Sequence, residues 1–307
     1  MEIVHVFSGK TNKEKESIQD CQDALQVKTD CFAIADGASD GGAYPEIWAD
    51  LLVNHFCEKP NITNKNWQEW LKPIQESWLN DVKEKIKTNK ENKNPSWFGN
   101  HKKLHEKKLP AGSTFIGAQF KENRLHVTLI GDSCMFIWQD NELVKSMPYT
   151  KSTEFSGVTK SFVSFEKDNK FEPQFIQYPI QKAKETYCVL ATDAFAKWIF
   201  ENVETKKSIF ERLINISTQN QFEEIVASAR VSEIPKLEND DVALIVVKIS
   251  ETKRKVEQTQ KLTTKNKEKL QESKSTIQTK KQLKKTKKSF RRRIAKRLKM
   301  FFKNKEQ

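Results

Sequence analysis

The chain alternates between short apolar runs of strand length and longer stretches whose apolar residues recur every three or four positions. Cys31 to Ala35 is an unbroken apolar run ending at Asp36-Gly37, which reads as a strand entering a turn. From Pro45, residues Ile47, Trp48, Leu51, Leu52 and Phe56 follow helical spacing. Trp67, Trp70, Leu71, Ile74, Trp78, Val82 and Ile86 repeat that spacing in a second helix, with Pro73 as a start or kink. Residues 87–110 are rich in Lys and Asn and predict a surface loop.

Ser113 to Phe120, Arg124 to Ile130 and Cys134 to Gln139 are then expected to form a meander, with turns at Lys121-Glu122-Asn123 and Gln139-Asp140-Asn141. Residues 150–180 are irregular and predict a flap. Tyr187 to Ala191 is a further strand, Lys206 to Ala229 carries helical spacing, and Val242 to Ile249 is an apolar closing strand. Strands, then helices, then strands again favour an α+β layered fold with antiparallel sheets. The tryptophans are expected to pack helices on those sheets.

The pattern stops near residue 250, and charge changes there as well. Net charge over the 307 residues is +13. Residues 251–307 hold 22 of the 54 Lys and Arg but 5 of the 41 Asp and Glu, a net of +17, so the first 250 residues net −4. A mildly acidic domain (1–250) is thus expected to carry a basic polar linker (251–288) and a basic amphipathic helix (289–307). In the last piece Phe290, Ile294, Leu298 and Phe301-Phe302 share a helical face among six Arg and Lys. The linker composition predicts a solvated arm. An anionic membrane surface fits 289–303, with nonspecific nucleic-acid contact as the rival.

Five cysteines, an odd number without a CxxC pair, point to reduced thiols rather than a disulfide framework or a zinc site. No window approaches the roughly 18 apolar residues of a spanning helix. The expected location is the cytoplasm, peripheral at the inner membrane surface if the basic helix engages lipid.

The candidate chemistry lies at strand ends. Gln22-Asp23, Asp36-Gly37, Gly112-Ser113-Thr114, Gly131-Asp132-Ser133, Thr192-Asp193 and Asp240-Asp241 each adjoin an apolar run. One such aspartate caps a turn. Several converging would make an all-oxygen site for hard divalent cations. Paired ions of that kind acidify a water and clamp phosphoryl oxygens.

In this order the strings resemble the metal-dependent protein phosphatases of the 2C family, in a bacterial-type branch, over most of residues 15–250. The resemblance implies a four-layer α-β-β-α sandwich with two central antiparallel sheets. It also implies hydrolysis of phosphoserine and phosphothreonine in proteins by a metal-activated water. Asp36 would bridge two Mn²⁺ or Mg²⁺ ions, the Gly37 carbonyl would bind one, and Asp193 and Asp240 would complete the other. Asp132 would join Asp193 at a weaker third ion, and Gln22 and Asp23 would act through waters. A cognate Ser/Thr kinase is the implied partner.

Four departures stand beside these matches. Ile18 replaces the family's phosphate-holding Arg, leaving Lys15 or Lys13 to substitute. Ala38 replaces a general-acid His found in eukaryotic members. Lys197 replaces a second Asp near Asp193, and Gln22 replaces the commoner Glu. They keep open a second reading, a weakly active or inactive adaptor binding a phosphoprotein or kinase.

The remaining candidates read as structural. Ser113 has no His-Asp partner to make it a nucleophile. His101 and His105 share helical spacing but lack a third ligand. His5, His55 and His126 are expected in the core, and Asp140 and Glu142 in a hairpin turn.

Overall fold

The computed structural model describes residues 1–250 apart from 17, 39–41, 92–95, 156–158, 182–184 and 206. The linker and helix expected over 251–307 lie outside the described residues. Met1–Glu251 is one compact unit.

Eleven strands form two antiparallel sheets among these residues. In the first, β1 (Glu2–Thr11) pairs with β11 (Val242–Ser250), then come β10 (Thr186–Ala191), β6 (Cys134–Gln139) and β7 (Glu142–Met147). In the second, the order is β2 (Asp23–Val27), β3 (Cys31–Ala38), β4 (Gly112–Lys121), β5 (Arg124–Ile130) and β9 (Gln174–Pro179), with β8 (Phe162–Val163) paired to β4. Helices α1 (Pro45–Glu58), α2 (Trp67–Glu91) and α3 (Ser96–Glu106) follow β3. Helices α4 (Asp193–Glu204), α5 (Ile209–Leu213) and α6 (Gln219–Val231) lie between β10 and β11 in sequence.

Three apolar layers explain why central strands read as continuous apolar runs. Along β11, Val242, Leu244 and Val246 face the core shared with α4, α5 and α6. Their neighbours Ala243, Ile245 and Val247 face the core between the sheets. Along β3, Phe32 and Ile34 face that middle core, while Ala33 and Ala35 meet α1 and α2. Both faces of each central strand are therefore covered, and side chains alternate between two apolar interiors rather than between core and water. The result is a four-layer α-β-β-α sandwich.

Trp48, Trp70 and Trp78 serve packing, and their ring nitrogens are paired. Trp48 Nε1 donates to the Phe162 carbonyl at 2.9 Å, and Trp70 Nε1 to the Lys59 carbonyl at 2.8 Å. Trp78 Nε1 reaches the Tyr44 carbonyl at 3.3 Å. A buried indole without such a partner costs about 1–3 kcal/mol.

Several local expectations are corrected. Residues 87–110 are largely helical: α2 runs on to Glu91 and α3 follows. The meander breaks after β5, because β6 crosses to the other sheet and pairs with β10. Local turn chemistry at Gly131-Asp132-Ser133 does not reveal that crossing. The helical stretch expected over 206–229 divides into α5 and α6, and 150–180 is less irregular than expected, since it contains β8 and β9. His5 is exposed and bonds Ser8, so it is not a core histidine.

Candidate metal centre

Topology brings the acidic strand ends to one end of the sandwich. Asp23 opens β2 and Asp36 nears the end of β3, so the antiparallel register sets them directly opposite. Asp193 follows β10 as the first residue of α4, and Asp240 lies two residues before β11, with Asp241 between them. Asp132 lies in the β5–β6 crossing, whose first strand residue Cys134 pairs with Ala191. Gln22, Asp36, Gly37, Asp132, Asp193 and Asp240 line one cavity of about 960 Å³. Asp23 lies behind it, almost fully buried.

Glycine is required at two points of this wall. A Cβ on Gly37 would lie 2.8 Å from the Gln22 carbonyl oxygen and 2.9 Å from the Pro45 carbonyl. Both obstacles are backbone. Gly131 turns the chain toward Asp132 with φ +96°.

Asp23, Asp36, Asp132 and Asp193 hold their protons unusually tightly. Burial raises Asp36 well above the usual carboxylate range, and the charges of Asp23, Asp193, Asp132 and Asp240 add to it. Burial also raises Asp23, against the hydrogen bond from Thr192. Asp193 is pushed up to about 7, by burial first and then by Asp132. The Ala194 N–H, donating to Asp193 Oδ1 at 2.5 Å, opposes that rise. Asp132 is raised by burial, against a 2.9 Å bond from Thr159. Asp23 Oδ1 and Asp132 Oδ1 are buried without a hydrogen-bond partner.

These observations fit oxygen-preferring cations. Clustered carboxylates that repel one another, two with unsatisfied buried oxygens, are stabilised by positive charge at their centre. Among the described residues, no three His, Cys, Asp or Glu side chains converge closely enough to hold an ion alone. Mg²⁺-type coordination does not need that, since it keeps several waters and uses one or two carboxylates. Neither Cys nor His lines the cavity.

Neighbouring groups have structural tasks. Asp241 accepts the Lys13 N–H at 3.0 Å and the Gln22 N–H at 2.9 Å, which ties the β1–β2 connection to the start of β11. Arg230 donates to the Asn12 carbonyl at 3.0 Å and the Asp240 carbonyl at 2.5 Å. Ser113 Oγ donates to the Asp36 carbonyl at 2.8 Å, a structural role. His101 Nδ1 accepts the Tyr44 N–H at 3.0 Å, and His105 meets Trp78 edge-on. Sequence reasoning missed Asp241, Arg230, Thr159 and Thr192. Only Asp241 and Thr192 carried a signal, as neighbours of predicted ligands.

Of the two lysines expected to replace the missing arginine, Lys13 lines the cavity and Lys15 is exposed. Lys13 Nζ is 3.0 Å from Asp240 Oδ1. Burial works to lower its pKa, but the bond and charge of Asp240 outweigh that and hold it raised. Ile18 is exposed and away from the cavity lining. Lys197 pairs with Glu238.

The sequence profile of the protein phosphatase 2C family matches residues 13–233. The chain belongs to that family. No curated protein matches it by sequence. Among solved structures, the Mycobacterium tuberculosis serine/threonine phosphatase PstP is similar over 82% of this chain and 100% of its own, with 14% identity and a TM-score of 0.52. The catalytic domain of PstP in complex with two manganese ions is similar over 81% and 99%, again at 14% identity, with a TM-score of 0.51. The photosystem II phosphatase PBCP covers 81% and 99% at 13% identity and a TM-score of 0.50. At these identities the likeness is one of fold. Among the described residues, no helix is long and apolar enough to cross a membrane.

Proposed function

We propose that this 2C-family chain is a Mn²⁺- or Mg²⁺-dependent phosphatase of phosphoserine and phosphothreonine in proteins. The observation that carries the reading is the set of mutually repelling carboxylates on one cavity wall. Asp36 and the Gly37 carbonyl are assigned to a shared pair of ions, with Asp193 and Asp240 on one of them. Gln22 and Asp23 act through waters, and Asp132 with Asp193 offers a weaker third position. Two such ions, when bound, supply an acidified water and positive charge against the phosphoryl oxygens. The chain's own residues orient that chemistry. Asp36 belongs to β3 of one sheet, and Asp193 opens α4 just after β10 of the other. Lys13 supplies a cation at the rim for a phosphate dianion.

The test is hydrolysis of p-nitrophenyl phosphate and of a phosphothreonine peptide with Mn²⁺, comparing wild type with Asp36→Asn and Asp193→Asn. The reading expects a loss of at least about 100-fold in kcat for each, in line with removal of a group that stabilises the transition state. Equal rates in all three proteins contradict it.

One observation favours the adaptor reading: Lys197 stands one helical turn after Asp193 and pairs with Glu238, placing a fixed cation beside the third-ion position. That reading expects no Mn²⁺ binding, or Mn²⁺ binding without turnover. Retention of Asp36, Gly37, Asp193 and Asp240 favours the enzyme.

Residues 1–250 are assigned as the catalytic domain, 251–288 as a linker and 289–307 as a targeting helix. The phenylalanines and arginines of 289–303 support contact with an anionic membrane surface, hence a cytoplasmic enzyme held at the inner face. A Ser/Thr kinase opposing the phosphatase is the expected partner. Co-sedimentation of the full chain, and of a 1–250 truncation, with phosphatidylglycerol vesicles tests the assignment. Loss of binding on truncation supports it; equal binding, or binding to DNA alone, contradicts it.

A further inference from the structure

Thr192 immediately precedes Asp193, and its hydroxyl is fully buried at the seam between the two sheets. Oγ1 accepts the Ala243 N–H of β11 at 2.9 Å and donates to Asp23 Oδ2 of β2 at 2.8 Å. The Thr192 N–H also returns to the Ala243 carbonyl at 3.3 Å. One hydroxyl thus joins a backbone amide of the first sheet to a carboxylate of the second.

The direction of this chain of bonds is fixed by chemistry. An amide N–H donates only, so Thr192 Oγ1 accepts there and its single proton points to Asp23. Asp23 is held by one oxygen and turned so that the other, Oδ1, stays buried and without a partner. Asp23 faces Asp36 across the β2–β3 ladder, and Thr192 adjoins Asp193. The relay therefore links the two carboxylates assigned to the metal pair, although one lies in β3 and the other opens α4 after β10 of the other sheet.

We propose that Thr192 is a positioning residue: through Asp23 it sets the spacing of Asp36 and Asp193, and it leaves Asp23 Oδ1 free to order a water of the metal centre. The inference rests on the metal-dependent reading above. Partners of this kind, one bond removed from the ligands, typically change metal affinity or activity by about 10–100-fold when removed.

The experiment is Mn²⁺ calorimetry on the full chain, with phosphopeptide turnover alongside. Thr192→Val keeps the shape and removes the relay; Thr192→Ser keeps the hydroxyl. The expected result is Mn²⁺ affinity at least about 10-fold weaker for Thr192→Val, with kcat reduced and KM little changed. Thr192→Ser should restore affinity to within about threefold of wild type. Asp23→Ala should match Thr192→Val, and the double variant should be no worse than Asp23→Ala alone, because the threonine acts through the aspartate. Thr192→Ala gives the same reading should the valine variant not fold. Wild-type affinity in Thr192→Val, failure of Thr192→Ser to restore it, or losses that multiply in the double variant would each overturn the inference while leaving the metal centre standing. A wild-type chain that takes up no Mn²⁺ removes both.

Discussion

Asp23 and Asp36 stand directly opposite each other across neighbouring antiparallel strands. Like charges in that arrangement destabilise a sheet. Here both are also buried deeply enough to hold their protons well above the usual range. A fold keeps such a pair where a positive charge offsets it. The same pressure extends to Asp193, which opens α4 just after β10 of the other sheet, and the metal-centre reading follows from that shared repulsion.

Acidity should weaken metal uptake. Asp193 must lose a proton to ligate, and its pKa lies at about 7. Mn²⁺ affinity measured by calorimetry should therefore fall as pH drops from 8 to 6, with protons released on binding. Affinity independent of pH across that interval would contradict the assignment of Asp193.

The chelated protein should respond to pH in the opposite sense. A carboxyl whose folded pKa is raised binds its proton more tightly folded than unfolded. Its contribution is full below the unfolded value of about 3.9 and is lost as pH rises through the folded value. For Asp193 that window runs from there to about 7. Asp193→Asn should therefore flatten the decline in stability between pH 4 and pH 7, as read by thermal unfolding in EDTA. An unaltered slope would argue that Asp193 is not strained.

Gly37→Ala should damage both fold and site. The added methyl meets two backbone oxygens at under 3 Å, neither of which can swing away. Overpacking of this kind costs about 1–3 kcal/mol. Urea unfolding should show that loss, and Mn²⁺-dependent turnover should fall by more than the stability change explains. A variant as stable and active as wild type would contradict the close approach.

Arg230→Met should loosen Asp240. The guanidinium joins the Asn12 and Asp240 carbonyls, and methionine fills similar space without donating. Leaving a buried acceptor unpaired costs about 1–3 kcal/mol, and these two are half-buried, so the loss should lie at the low end of that range. The expected outcome is lower stability in urea together with several-fold weaker Mn²⁺ binding; lower stability with unchanged binding would confine Arg230 to the fold.

Much of the architecture was legible in the chain. Apolar runs marked β3, β10 and β11, because both faces of those strands are covered. Helical spacing marked α1 and most of α2, from Trp67 to Ile86. The strand crossing after Ile130 was not legible, since Gly131-Asp132-Ser133 suits a hairpin and a sheet-to-sheet crossing equally well. Helix α3 was hidden because Lys and Asn dominate its surroundings. The candidate ligands were legible as strand-end aspartates in a fixed order. What held them in place was not. Thr192, Arg230 and Asp241 work through partners as far as 228 residues away in sequence, as in the bond from the Lys13 N–H to Asp241, and local pattern carries no trace of such pairing.

The central claim is that carboxylates from both sheets grip paired divalent ions. Anomalous diffraction at the manganese edge from crystals grown with Mn²⁺ tests it most directly. The account predicts two peaks about 3.5–4 Å apart between Asp36, Asp193 and Asp240. A cavity that shows no anomalous peak at saturating Mn²⁺, or peaks away from these three aspartates, would contradict it.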